Sequence, residues 1–127
     1  MDFGHTARMK EMQAKVRAFM DENVWPADAE YQRIVATHAY PEELIDGLKE
    51  KAMAQGLWNL FLPALKPDEP GTALTNLEYA PLAEIIGRLP WASEVFNCNA
   101  PGTGNMEILH LFATPEQRER WLMPLLE

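Results

Sequence analysis

The sequence predicts an all-α domain of about six helices, and three observations carry that expectation. Apolar residues recur three and four positions apart along most of the chain. No stretch alternates apolar and polar residues with the two-residue period of a half-buried strand. Helix-start and helix-stop residues punctuate the chain at helical intervals, and no internal repeat can be laid over itself. At 127 residues, 47% of them apolar, the chain can bury one sizeable core and has no room for a second complete one.

Residues 5–22 place Met9, Met12, Val16, Phe19 and Met20 at helical spacing, with Glu11 and Lys15 four apart on the polar side. Trp25-Pro26 biases residue 25 away from helical angles, so a break or kink is expected before helix resumes briefly through Ala27 to Ile34. Pro41 suits the first turn of a second helix lined by Leu44, Ile45, Leu48 and Ala52, with Gly56 as its stop. The run from Leu57 to Pro63 is short and apolar, and an extended buried loop is expected there. Lys66 to Leu74, with Pro67, Pro70 and Gly71, has the composition of a surface loop.

Thr75-Asn76-Leu77-Glu78 has capping-box form and opens a third helix to about Gly87. Its apolar residues run around much of the circumference, as in a central helix, and Pro81 inside it predicts a kink. Pro90 to Ala100 reads as a short helix bounded by Pro101. Gly102-Thr103-Gly104 then reads as a hinge into a fifth helix carrying Met106, Leu109 and Phe112. Thr114-Pro115-Glu116-Gln117 opens a sixth, with Trp121, Leu122 and Leu125, which meets Pro124 almost at once.

The formal net charge of −8 would repel phosphate backbones on average, which argues against a nucleic-acid partner. Cys98 is the single cysteine and can form neither an internal disulfide nor a cysteine-rich metal cluster, so a reducing, cytoplasmic setting fits. No apolar run approaches the roughly 20 residues that span a bilayer, and Met1 to Met12 has no signal-like core.

His5, His38 and His110 lack partners at ligand spacing, so no metal site is expected. Cys98 has no neighbouring base and reads as a small buried hydrophobe, and His110 as a core or boundary residue. Gly102-Thr103-Gly104 follows a helical stretch rather than a strand and lacks the rest of a phosphate loop. Glu78, Glu84, Glu94 and Glu107 lie in apolar surroundings but nothing in the sequence pairs them. The residues alone describe helices, an apolar interior and no self-contained active site.

Three stretches go further. They are Gly56-Leu57-Trp58-Asn59-Leu60-Phe61-Leu62-Pro63, the run from Asn76 to Arg88 (NLEYAPLAEIIGR), and the run from Glu94 to Glu107 (EVFNCNAPGTGNME). With Gln117, Trp121, Leu122 and Pro124-Leu125-Leu126, they resemble the N-terminal helical domain of the flavin-dependent acyl-CoA dehydrogenases, in the subgroup related to family members ten and eleven. The resemblance covers nearly the whole chain. It implies an orthogonal helical bundle over residues 1–127, with the family's middle β-domain and C-terminal helical domain absent from this chain.

It also implies FAD as cofactor, an acyl-CoA substrate, a flavin electron acceptor, a role in fatty-acid oxidation and a homo-oligomer. In the family, a glutamate of the C-terminal domain removes the α-proton while the β-hydride passes to the flavin. No catalytic and no cofactor-binding residue therefore carries over, and the chain alone is expected to be inactive and without bound flavin. What carries over is one wall of the acyl-chain pocket, mapping onto Phe96, Asn97, Ala100, Pro101, Gly104 and Met106. Small residues such as Ala100 and Gly104 leave room for an alkyl chain, although they also suit close helix packing. The polar Asn97 and Asn99 either face other helices or point to an acyl chain bearing a polar substituent. The alternative is a free-standing helical interaction module of dehydrogenase-like shape, binding a partner through residues such as Trp58, Phe61 and Trp121.

Overall fold

The computed structural model describes residues 4–63, 65, 66 and 69–127. The expectations placed on Met1 to Phe3 and on Pro67 lie outside the described residues. Five helices and one 3₁₀ turn account for the regular structure, and no strand occurs among the described residues. That is one helix fewer than expected, because the stretch from Pro90 to Ala100 forms only the 3₁₀ turn Ala92–Phe96.

The first helix, α1, covers residues 7–35, and the break expected at Trp25-Pro26 does not occur. Thr6 caps it, its hydroxyl accepting from the Met9 amide at 3.1 Å. After Ala7–Phe19 the helix widens into a π turn, Met20–Val24, and continues as Trp25–Val35. The Trp25 amide bonds five residues back, to the Met20 carbonyl. That wider turn makes room for the Pro26 ring, which would otherwise meet the carbonyl four residues before it. The last helix, α5, uses the same device: Pro115–Gln117, a π turn Arg118–Leu122, then Met123–Leu126 with Pro124 two residues beyond the turn. The helix expected from Thr114 thus continues through Pro124 to Leu126.

Helix α2, Glu42–Ala54, ends in a Schellman motif: Gly56 sits at φ 69°, its amide bonds the Met53 carbonyl, and the Leu57 amide bonds Ala52 at 2.8 Å. The following connector is buried as expected but turned rather than extended. Asn59 adopts a left-handed φ of 53°, and the Leu62 amide returns to the Asn59 carbonyl. Helix α3, Asn76–Ile86, opens with the expected capping box, Thr75 and Glu78 each bonding the other's amide. It is less central than its composition suggested. Leu82, Ile85 and Ile86 are buried, while Leu77 is 46% exposed and Ala80 lies at the surface. Gly102-Thr103-Gly104 forms the first turn of α4, Gly102–Phe112, rather than a hinge.

Two apolar clusters fill the interior. The larger packs α1, α2, α3 and the 3₁₀ turn around residues such as Phe19, Ile45, Leu82 and Phe96, with Phe19 and Phe96 edge to face at 5.4 Å. The smaller gathers Phe61, Leu62, Leu65, Met106, Leu122 and Leu126 beneath α4 and α5. Tyr79 and Cys98 pack against both and mark the seam between them.

Thr114 caps α5, bonding the Gln117 amide while the Gln117 side chain bonds the Thr114 amide. Thr114→Ala is therefore expected to lower the unfolding free energy by about 1 kcal/mol in urea titration, with an unchanged denaturant slope.

Candidate functional site

The turn from Phe96 to Gly102 joins the larger cluster to α4, and it contains most of the residues the sequence singled out. Phe96 is fully buried, and its carbonyl accepts from the Asn59 amide at 3.1 Å and from the Cys98 thiol at 3.2 Å. Asn97 follows in a left-handed conformation, φ 54°, which asparagine tolerates better than most residues. Its amide nitrogen donates to Asn59 Oδ1 at 2.7 Å and to the Leu125 carbonyl at 2.8 Å. Asn97 thus faces other elements of the fold, the first of the two alternatives its polarity left open.

Met106 is buried in the smaller cluster, with Gly102 packed over its methyl group. Ala100, Pro101 and Gly104 lie at the surface, and a Cβ added at Gly104 would meet nothing within 4 Å. No close helix packing therefore accounts for that glycine. The six residues divide in two: Phe96, Asn97 and Met106 form a backing tied into the fold, while Ala100, Pro101 and Gly104 form the outer face.

Along α4 the outer face continues one and two turns on from Gly104. Ile108, Leu111 and Phe112 are 60%, 67% and 79% exposed, a concentration of large bare side chains on a helix that fully buries only Met106. Trp121 and Leu125, one turn apart on α5, are also exposed. Phe61, expected on an open face, is instead a core residue, and Trp58 is half-buried with its indole Nε1 donating to the Leu126 carbonyl at 2.8 Å.

Beside this face, an open cleft of about 270 Å³ lies at the seam, lined by Phe61, Asn76, Tyr79, Cys98, Thr103 and Glu107. The sequence did not assemble this group. Thr103 and Glu107 are one helical turn apart, as are Asn76 and Tyr79, so each pair is legible in isolation. Bringing the pairs to one cleft requires the tertiary fold, which local spacing does not encode. Burial pushes the Cys98 thiol up to about 11, the neighbouring Tyr79 hydroxyl only partly offsetting it, and burial likewise raises the Tyr79 phenol. Neither group is an activated nucleophile or base. Among the described residues no group of three or more His, Cys, Asp or Glu side chains could hold a metal ion, and no helix is long and apolar enough to cross a membrane.

His110 sits almost buried, its carbonyl accepting from Arg118 at 2.5 Å, while Arg118 also pairs with Glu69. This cluster fastens Glu69 to α4 and α5.

The family described as acyl-CoA dehydrogenase, N-terminal domain, matches residues 6–127. The chain belongs to this family. The acyl-CoA dehydrogenase match begins at the Thr6 cap and includes all five helices, the connector and the 96–106 segment. Acyl-CoA dehydrogenase family member 10 of Mus musculus is 48% identical over 98% of the chain, and family member 11 of Gallus gallus is 46% identical over 98%. A solved structure from Mycobacterium abscessus, described as an acyl-CoA dehydrogenase, superposes with a TM-score of 0.80 at 46% identity over 97% of the chain. The chain spans only 12%, 16% and 32% of those three proteins respectively.

With its pKa raised from 9.0 to about 11, Cys98 is overwhelmingly the neutral thiol at pH 8. Because the thiolate is the reactive form, iodoacetamide is expected to label native Cys98 roughly a hundredfold more slowly than the urea-unfolded chain, and the deficit disappears once the fold is lost. Equal labelling rates in the two states would contradict the burial of this group.

Proposed function

We propose that this chain is the N-terminal helical domain of a FAD-dependent acyl-CoA dehydrogenase that introduces an α,β double bond into acyl-CoA thioesters during fatty-acid oxidation. Its part is to supply one wall of the acyl-chain pocket and a docking face for the rest of the protein. The observation that carries this reading is the bare outer face of α4. Small residues stand at one end of it, Ala100, Pro101 and Gly104, and large apolar residues at the other, Ile108, Leu111 and Phe112. An alkyl chain lies along the small end, where each buried methylene stabilises by about 0.8 kcal/mol. The large end is covered by protein. Phe96, Asn97 and Met106 hold the wall from behind.

The lining of the seam cleft does not by itself fit a flavin dinucleotide. The seam cleft is open, is lined by one carboxylate and has no Lys or Arg to meet a diphosphate. No proton or hydride step is assigned to this chain. Its residues orient the acyl tail and exclude water from it, while the proton acceptor and the main flavin contacts belong to other parts of the protein.

Expression of the full native gene product tests the reading. It is expected to carry flavin absorbance and to oxidise acyl-CoA with an artificial electron acceptor, whereas residues 1–127 alone do neither. A native gene product that ends at Glu127, or one without acyl-CoA oxidation, contradicts the proposal. Gly104→Leu separates a pocket wall from a packing site. The isolated chain should lose no stability and gain up to about 1 kcal/mol from helix propensity, because a Cβ at this position meets nothing within 4 Å. In the full protein the same substitution should reduce kcat/KM for long-chain acyl-CoA by about tenfold or more while sparing the shortest substrates.

A further inference from the structure

Asn97 begins the segment that leads through Ala100 and Pro101 to Gly104, yet its side chain is committed to the opposite direction. Its two amide hydrogens go to Asn59 Oδ1 and the Leu125 carbonyl. Asn59, fully buried, donates its own two to the Leu126 carbonyl at 2.7 Å and the Pro70 carbonyl at 3.1 Å. Neither side chain keeps a hydrogen for a ligand. The Asn59 backbone amide also holds the Phe96 carbonyl, so Asn59 grips the segment both at Asn97 and one residue before it. Both asparagines are left-handed, with φ of 53° and 54°. Glycine could supply that backbone and glutamine that amide, but asparagine supplies both.

We infer that Asn59 and Asn97 are positioning residues that set acyl-length selectivity, by fixing the distance between the 96–106 wall and the Leu125 and Leu126 carbonyls of α5. This rests on the acyl-wall reading of that segment. Phe61 lies two residues after Asn59 and Cys98 one residue after Asn97, and both line the seam cleft. The amide pair therefore joins the two backbone segments that bring Phe61 and Cys98 to the cleft. Releasing it lets the two segments move relative to α5 without changing any group that touches substrate.

The test uses the full native gene product and a series of straight-chain acyl-CoA substrates, read as the ratio of kcat/KM for the longest to that for the shortest. Asn97→Gly keeps the left-handed backbone and removes the amide, and it is expected to change this ratio about tenfold, chiefly through KM. Thr114→Ala destabilises α5 at its far end and serves as the control, with an unchanged ratio. If Asn97→Gly fails to fold, Trp58→Phe keeps an aromatic ring, though a smaller one, removes the indole donor to Leu126 and is expected to shift the ratio in the same sense by a smaller factor. An unchanged ratio in the folded variant, or an equal shift in Thr114→Ala, overturns the inference by showing a purely structural role. A wild-type protein that oxidises no acyl-CoA at all is a distinct result. It removes the acyl-wall reading itself, and the inference falls with it.

Discussion

Two backbone carbonyls of α5, those of Leu125 and Leu126, gather the donors on which the rest of the fold depends. The Leu125 carbonyl accepts from Asn97 and the Leu126 carbonyl from Asn59 and Trp58, three side chains from two irregular segments far away in sequence. Because Asn59 is the one buried polar residue in the described interior, a missing partner there would leave several groups desolvated and unpaired, at about 1–3 kcal/mol each. A domain of this size has a total stability of about 5–15 kcal/mol, so the node is a substantial part of what keeps the two apolar clusters in register.

Local rules located the helices well wherever the deciding chemistry was itself local. Thr75, Thr114 and Gly56 do at the helix ends what their residue types imply, because a cap or a left-handed stop involves only a few consecutive residues. Pro26 misled for a definite reason. A proline forbids one hydrogen bond and one steric arrangement, but it does not forbid a helix that widens by one residue just before it. Burial of Phe19, Met20 and Val24 on one side of the π turn supplies the reason to stay helical, and that comes from tertiary packing. The same limit applied to α3, whose apolar composition suggested burial all round although only one face is covered.

The candidate wall was legible as a segment but not as a surface. Ala100, Pro101 and Gly104 reach the outside, whereas Phe96, Asn97 and Met106, adjacent in sequence, are drawn inward by the 3₁₀ turn, the left-handed residue and the first turn of α4. The seam cleft was not legible, since Phe61 had to fold back from the connector before Tyr79, Cys98 and Thr103 could share a boundary with it. What the structure adds to the family membership is a division of labour along one helix. The side of α4 that faces its own domain is closed by Met106, and the other side is apolar and bare. This acyl-CoA dehydrogenase domain is less than a third of the length of the relatives compared, and the bare face is the surface on which the proposed acyl-chain wall rests.

The most direct measurement is a crystal structure of the full native gene product with a bound long-chain acyl-CoA analogue. The account predicts the alkyl tail in van der Waals contact with Ala100, Pro101 and Gly104, Ile108 to Phe112 covered by protein, and the Asn59–Asn97 bond intact behind the tail. A tail seated elsewhere, with the outer face of α4 still open to solvent, would contradict it.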